Sequence, residues 1–324
     1  MRDVGEELLG RTRAFVKIQE GCDRACAYCV VPGVRGRQWS VPESEVVEEV
    51  GRLARGGCPE VVLTGTRPGS YGFDIAGASL AGLLERILAD TGVGRVRVSS
   101  LEPGEIAGGL LDLWAGPGKG RLCPHFHLPL QSGSDAVLRR MGRRYTAGQF
   151  AGEVARIRGA LPEAAVTTDV MAGFPGETEE DHRATLALMV GIRFSGAHVF
   201  PYSRRPGTPA ARLGGHVRAE TKARRAAEIR ALAEHRAREF RLRFVGSVRQ
   251  VLWEGRDRRT GLTDNYLRVR RAGRTPGQAG PDAPEWSGVI EDVELVALDG
   301  RDLVGRGRSC AGGGAGARSG QPVP

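Results

Sequence analysis

Gly21-Cys22-Asp23-Arg24-Ala25-Cys26-Ala27-Tyr28-Cys29 places three thiols at C-x3-C-x2-C spacing within eight residues. An apolar run, Ala14-Phe15-Val16-Lys17-Ile18, precedes it and reads as a strand, so the thiols fall on a strand-end loop. Soft thiolates in a tight loop select zinc or an iron–sulfur cluster. Structural zinc needs four closed ligands, and no fourth Cys or His stands at finger spacing nearby. Three thiolates on a four-iron four-sulfur cluster leave one iron open, the coordination on which radical chemistry with S-adenosylmethionine rests. Against this stands the plain alternative of three chance cysteines, or a redox pair with a spare; multi-cysteine spacing is the more specific signal. Tyr28, next to the third Cys, is positioned by sequence to stack on an adenine, although packing is the commoner role of a lone aromatic.

Outward from this loop the pattern alternates. Val46, Val47, Val50, Leu53 and Ala54 recur at helical spacing between Pro42 and Gly56-Gly57. Strands are expected at Val61–Leu63, Val96–Val98, Phe126–Leu130, Ala165–Thr168 and His198–Phe200. Helices are expected around Leu80–Leu88, Ile106–Trp114, Phe150–Leu161 and His182–Val190. About six strand–helix units predict an α/β fold, a parallel sheet closed wholly or partly into a barrel. Chemistry in such a barrel collects at the carboxyl ends of the strands. There the unusual residues fall in succession: the three Cys, Thr64-Gly65, Ser99-Ser100 with Glu102, Gln131-Ser132, Asp169 with Gly173, and Pro201-Tyr202-Ser203.

Each of these has a bland reading. Thr64-Gly65 permits close backbone approach to a ligand or is a tight turn. Ser100 and Glu102 suit a ribose and an amino-acid group, or open a helix. Gln131 and Ser132 offer neutral hydrogen bonds, and Gly173-Phe174-Pro175-Gly176-Glu177-Thr178 leads into an acidic helix start. His125 and His127 share a strand face, without a third ligand at metal-binding spacing.

A charged helix is expected from about Arg218 to Phe240, closing the α/β part. After it come short alternating strands, Ser247–Leu252, Tyr266–Arg270, Val289–Leu295 and Leu303–Gly305, which predict a small all-β module. Arg271–Ser287 reads as a long loop. Arg249, Arg268 and Arg270, with Tyr266 and Trp253 interleaved, suit RNA, against the alternative of a solvated face. The chain of 324 residues carries a formal charge of +9, which also suits a polyanion; only three of its 47 basic residues are lysines, so compositional bias is an equal explanation. Clustered cysteines, the lack of any run near ~20 apolar residues and an N-terminus unlike a signal peptide predict a cytoplasmic protein with no membrane partner. Cys58 and Cys123 read as small buried hydrophobes.

The Cys22–Cys29 loop, with Lys17–Gly21 before it and Val30-Val31-Pro32 and Arg35-Gly36 after it, resembles the radical S-adenosylmethionine methylthiotransferases. The likeness is closest to the branch that modifies threonylcarbamoyladenosine in tRNA. It extends over most of Arg11–Arg308 through His127–Asp135, Thr168-Asp169-Val170, Gly173–Thr178 and His198–Pro209. The Phe200–Pro209 segment looks more like the tRNA-modifying members than like the branch that acts on a ribosomal protein. The resemblance implies a partial (β/α)6 TIM-like radical SAM barrel at residues 11–240 and a small RNA-binding TRAM barrel at 241–309. An N-terminal remnant at 1–10 and a disordered Gly-rich tail at 310–324 flank them.

The resemblance further implies one 4Fe-4S cluster on Cys22, Cys26 and Cys29 and S-adenosylmethionine cleaved to a 5′-deoxyadenosyl radical. Tyr28, Thr64, Gly65, Ser100, Glu102, Gln131, Ser132, Asp169 and Gly173 are the candidate cofactor contacts. The implied product is a methylthio group on C2 of the modified adenosine at position 37, with the tRNA anticodon loop and an electron donor as partners. Family members carry an N-terminal domain with three further cysteines and a second cluster; here about ten residues precede the first strand, which reads as a truncated gene model, a fragment, or a protein that borrows a separate cluster domain from a partner. Thr66-Arg67-Pro68 departs from the family pattern. The alternatives are an RNA-binding protein with a structural or degenerate cluster, and a radical enzyme acting on isopentenyladenosine tRNA or a ribosomal protein.

Overall fold

The strand before the thiols alternates in burial: β1 (Ala14–Glu20) buries Ala14, Val16 and Ile18 and turns Phe15 and Lys17 to the opposite face. In the computed structural model, which describes residues 12–106, 109–254, 258–272 and 288–307, this strand begins an arc. A short antiparallel strand, β2 (Trp39–Ser40), lies on its outer edge, after a one-turn helix α1 (Val31–Arg35). On its other side β1 pairs in parallel with β3 (Glu60–Gly65), and β3 with β4 (Arg95–Val98).

A second parallel group comprises β5 (His125–His127), β6 (Ala165–Ala172) and β7 (Gly196–Pro201). The groups meet where Ser100 bridges His127 and the Leu101 amide donates to the His127 carbonyl at 2.9 Å. Six parallel strands therefore follow one another as β1-β3-β4-β5-β6-β7, and among the described residues no pairing returns β7 to β1. This is the partial barrel expected from the alternation.

Helices α2 (Glu43–Arg55), α3 (Leu80–Asp90), α4 (Leu110–Ala115), α6 (Ala147–Ala160), α7 (Glu179–Ile192) and α8 (Ala219–Leu242) supply apolar residues to the outer layer, including Val50, Leu84, Trp114, Phe150, Met189 and Ile229. Thr146 and Thr178 start α6 and α7 with capping boxes, satisfying amides that a helix cannot satisfy itself. The strand expected at Phe126–Leu130 stops at His127: Pro129 lacks an N–H for a ladder, and Gln131 takes a left-handed φ of 63°. The helix expected at Ile106–Trp114 is described from Leu110. A short helix, α5 (Asp135–Arg140), follows Ser134, whose hydroxyl caps it.

The remaining strands, β8 (Val248–Glu254), β9 (Thr260–Thr263), β10 (Arg268–Arg271), β11 (Ile290–Asp299) and β12 (Asp302–Gly307), close into a five-stranded barrel in the order β10-β12-β11-β8-β9, consistent with a TRAM fold. Strand β9, with glycine at its second position, has no alternation long enough to announce it. Trp253 does not face outward as the interleaved pattern suggested. It is wholly buried, packed with Val251, Val269, Val293 and Leu303, and its indole N–H donates to Glu291 at 2.8 Å.

This barrel seals the amino ends of the α/β strands. Buried Glu60 pairs with Arg95 at 2.7 Å and Arg97 at 3.0 Å. Arg97 then donates to the Asp264 carbonyl at 3.0 Å and lies 5.1 Å over the Tyr266 ring, which stacks flat on His125 at 4.2 Å. Charges this deep persist only when paired. Burial alone would raise the Glu60 pKa, but Arg97 and Arg95 outweigh it and hold the carboxyl below its ordinary value. No helix among the described residues is long and apolar enough to cross a membrane. The expected N-terminal remnant, Gly-rich tail and nearly all of the loop after Arg271 lie outside the described residues.

Candidate functional site

The thiol loop leaves β1 at Gly21, where φ is +72° and a side-chain carbon would run into the Arg37 carbonyl; glycine is the residue that fits. The loop is then tied to three distant segments. The Cys22 amide donates to the Gly36 carbonyl at 3.2 Å, the Ala27 amide to Met141 at 2.9 Å, and the Ala210 amide to the Ala27 carbonyl at 2.8 Å. The side-chain amide of Gln19, wholly buried, donates to the carbonyls of Glu20 and Gly21, while its oxygen accepts the Arg67 amide at 2.7 Å.

Cys22, Cys26 and Cys29 are free thiols, partly exposed, lining one cavity of about 460 Å³ with Arg24, Arg37 and Pro209. No three His, Cys, Asp or Glu side chains among the described residues gather closely enough for a single ion. Two donors already point at the sulfurs: the Arg24 amide reaches Cys22 Sγ at 3.4 Å and Arg143 Nη1 reaches Cys26 Sγ at 3.6 Å. Burial raises the Cys22 pKa, and the Arg24 amide works against it.

Behind the loop lies a charge network. Glu102 is reached by Arg143 at 2.9 Å, Arg24 at 3.4 Å and Arg67 at 3.5 Å. Glu105, paired with Arg67 at 2.5 Å, accepts the Glu102 amide at 2.8 Å. Burial nevertheless lifts the Glu105 pKa. Glu102 is thus held by guanidinium groups rather than left for the amino-acid group suggested by its sequence position. Tyr28 packs edge-on against Phe174 at 6.4 Å in an apolar cluster with Met141 and Ala210, so its ring serves packing.

Other sequence candidates divide in two. Thr64 and Gly65 end β3 beside the thiol strand, with Gly65 against the Gln19 carbonyl, and Thr66 Oγ and Gln131 Oε1 are buried with no hydrogen-bond partner among the described residues. Asp169 faces the barrel interior, 3.3 Å from His127 and 3.7 Å from His198. Ser100 lines an interior cavity of about 550 Å³ with His125, His127 and Thr167; the two histidines share the Thr167 hydroxyl at 2.9 and 3.0 Å.

By contrast, Ser132 is only 1% exposed, and its hydroxyl accepts the Ser134 amide at 3.2 Å beside Thr185. The Gly173 amide donates to Glu177 at 3.1 Å, and Glu177 is locked to buried Arg225 at 2.8 Å. Both positions are committed to anchoring α7 and α8. On the C-terminal barrel, Arg249 is nearly buried between Asp264 and Glu163, and Tyr266 stacks one ring face on His125 while staying exposed on the surface; Arg268 and Arg270 are exposed on β10, paired with Asp302 and Asp299. Arg143 and Arg24 escaped the sequence reading. Arg143 lies 117 positions from Cys26, a separation that leaves no local pattern.

The model of the radical SAM superfamily matches residues 16–189, and the chain belongs to that superfamily. Its cofactors are a 4Fe-4S cluster and S-adenosylmethionine. Within it the chain stands with the methylthiotransferases. It is 40% identical over 269 residues to the threonylcarbamoyladenosine tRNA methylthiotransferase MtaB of Bacillus subtilis, covering 80% of this chain and 59% of that protein. It is also 40% identical over 292 residues to the tRNA-2-methylthio-N(6)-dimethylallyladenosine synthase of Geobacter metallireducens, covering 89% and 64%. The chain therefore spans about three fifths of the length of these relatives. Among solved structures the fold is similar to the radical S-adenosylmethionine methyltransferase TsrM of Kitasatospora setae, with a TM-score of 0.51 at 21% identity over 61% of this chain and 38% of that one.

Proposed function

We propose that the chain is the radical and RNA-binding part of a tRNA methylthiotransferase acting on C2 of N6-threonylcarbamoyladenosine at position 37. The observation that carries this reading is the single cavity lined by Cys22, Cys26 and Cys29 at the carboxyl end of an open parallel barrel. These thiols would hold the cluster, which when bound supplies the electron that reductively cleaves S-adenosylmethionine.

The chain's own residues do the positioning. Gly21 and Gln19 fix the loop, and the Arg24 amide and Arg143 meet two of the sulfurs. Thr64, Gly65, Ser100, Gln131 and Asp169, in the carboxyl-terminal halves of the strands or just beyond them, are the residues offered to cofactor and nucleoside. Arg268 and Arg270 offer phosphate contacts, and the unclosed side of the barrel gives a flipped-out base a way in. The reading also takes in an electron donor and a cluster-bearing domain that delivers the sulfur, in the cytoplasm.

A second reading, action on isopentenyladenosine, is favoured by the equal identity to the dimethylallyladenosine enzyme. Anaerobically reconstituted protein with dithionite should convert S-adenosylmethionine to 5′-deoxyadenosine, and Cys26→Ala should not. Mass spectrometry of tRNA nucleosides from a strain lacking the gene then decides the substrate. Loss of the methylthio form of threonylcarbamoyladenosine supports the first reading; loss of the isopentenyl form supports the second. Cluster without turnover would leave an RNA-binding protein.

A further inference from the structure

The connection between α5 and α6 touches the thiol loop at three successive residues. Met141 accepts the Ala27 amide at 2.9 Å. At Gly142, φ is +74° and a side-chain carbon would stand 2.8 Å from the Ala25 carbonyl, so the two backbones meet without an intervening side chain. Arg143 then sends its guanidinium under the loop, its side chain only 7% exposed.

Two edges of that guanidinium make hydrogen bonds, while Nη2 meets Glu102 as an ion pair and makes no hydrogen bond among the described residues. Nε donates to the Tyr145 hydroxyl at 3.1 Å, and that hydroxyl donates to the Pro129 carbonyl at 2.7 Å. Nη2 faces Glu102 at 2.9 Å, the ring of Tyr145 lies 4.9 Å from the guanidinium carbon, and Nη1 is left to Cys26 Sγ at 3.6 Å. A side chain held on three sides delivers its fourth as a fixed donor, with no reorganisation needed when charge builds on the sulfur.

We propose that Arg143 is a positioning residue for the cluster that raises its reduction potential through the N–H···S contact to Cys26. The inference rests on the reading of Cys22, Cys26 and Cys29 as cluster ligands. Reduction adds negative charge, which spreads onto the thiolates; a hydrogen bond and a buried positive charge at one thiolate stabilise the reduced form more than the oxidised form. Hydrogen bonds to sulfur and local net charge are among the factors that set the potentials of such clusters. Glu102 tempers the effect and holds the guanidinium in place, while the Arg24 amide provides a weaker, unchanging contact at Cys22.

The test is a mediated redox titration of the anaerobically reconstituted full chain, followed by electron paramagnetic resonance, for the parent, Arg143→Gln and Arg143→Lys. At the parent's midpoint, Arg143→Gln should show a roughly tenfold lower ratio of reduced to oxidised cluster, equivalent to about 59 mV for a one-electron couple. Its iron content should match the parent's. Arg143→Lys keeps the charge but loses the planar fork that serves sulfur, Tyr145 and Glu102 together, and should fall between the two.

Unchanged potentials in loaded variants would overturn the proposal. If Arg143→Gln fails to load, Arg143→Lys decides by the same criterion, and failure of both to load would make the contact one of assembly and sink the tuning role. A parent that holds zinc, or no iron, would instead refute the ligand reading itself.

Discussion

The mouth and the floor of the α/β barrel are both built on buried arginine–glutamate groups, and they use them in opposite ways. At the floor, Glu60 gathers Arg95 and Arg97, whose Nη groups also reach the carbonyls of Gln250, Leu262, Thr263 and Asp264 in the C-terminal barrel. At the mouth, Glu102 and Glu105 face Arg24, Arg67 and Arg143, while Thr66 Oγ and Gln131 Oε1 stand buried without hydrogen-bond partners among the described residues. The carboxylates record the difference: Glu60 is held below its ordinary pKa despite burial, and burial lifts that of Glu105. Among the described residues, one cluster spends its Nη groups across the junction and locks two barrels together, with Arg95 Nε alone of its guanidinium nitrogens left without a hydrogen bond. The other leaves polar atoms of Thr66 and Gln131 unpaired beside its ion pairs.

The largest effect should come from the mouth's chemistry. Cys26→Ala should abolish cluster-dependent formation of 5′-deoxyadenosine while the melting temperature of the chain without iron stays close to the parent's. A large loss of apo stability would show that the loop is structural like the floor.

Next comes the floor. Glu60→Gln leaves Arg95 and Arg97 uncompensated and should destabilise folding by about 3–5 kcal/mol in chemical denaturation. Glu105→Gln at the mouth should leave stability at pH 7 unchanged or slightly raised, since its ionised form is disfavoured by burial. Equal losses from the two substitutions would erase the contrast.

The pH dependence follows with opposite signs. Because the Glu60 pKa is lowered from 4.5 in the folded state, its contribution is complete above that value and is lost as pH falls through the lower folded one. Glu105, raised from 4.5, binds its proton more readily when folded, so its contribution favours folding at low pH and fades as pH rises from 4.5 through the folded value. Acid unfolding should therefore move to higher pH in Glu60→Gln, and an unmoved midpoint would remove Glu60 from the lock. The smallest effect belongs to the outer face of the C-terminal barrel: Arg268→Gln and Arg270→Gln should each weaken tRNA binding modestly and lower the salt slope by roughly one unit. An Arg249→Gln change, in contrast, should act on stability, because that side chain is nearly buried against Asp264 and Glu163, whereas the ion pairs of Arg268 and Arg270 lie in solvent.

Local pattern carried the strand–helix alternation, the parallel arc and the thiol loop, because strand periodicity, glycine punctuation and cysteine spacing are written within a few residues of each other. Assignments failed where a residue's role depends on a distant partner. Ser132 and Gly173 looked like ligand contacts from their place after a strand, yet Thr185 and Glu177 claim them. Trp253 looked like part of a nucleic-acid face, yet it fills the core of its barrel, while Tyr266 stays exposed with one ring face laid on His125.

By itself the sequence determined that three sulfurs would stand on a loop at the end of the first strand of a parallel α/β arc, since thiol spacing and hydrophobic period are properties of contiguous chain. Only the tertiary structure decided which charges surround them. Arg143 meets Cys26 across 117 positions, and Arg97 meets Tyr266 across 169, because packing brings together side chains that no local period relates. Electrostatic partnership depends on distance in space, and burial then sets its strength.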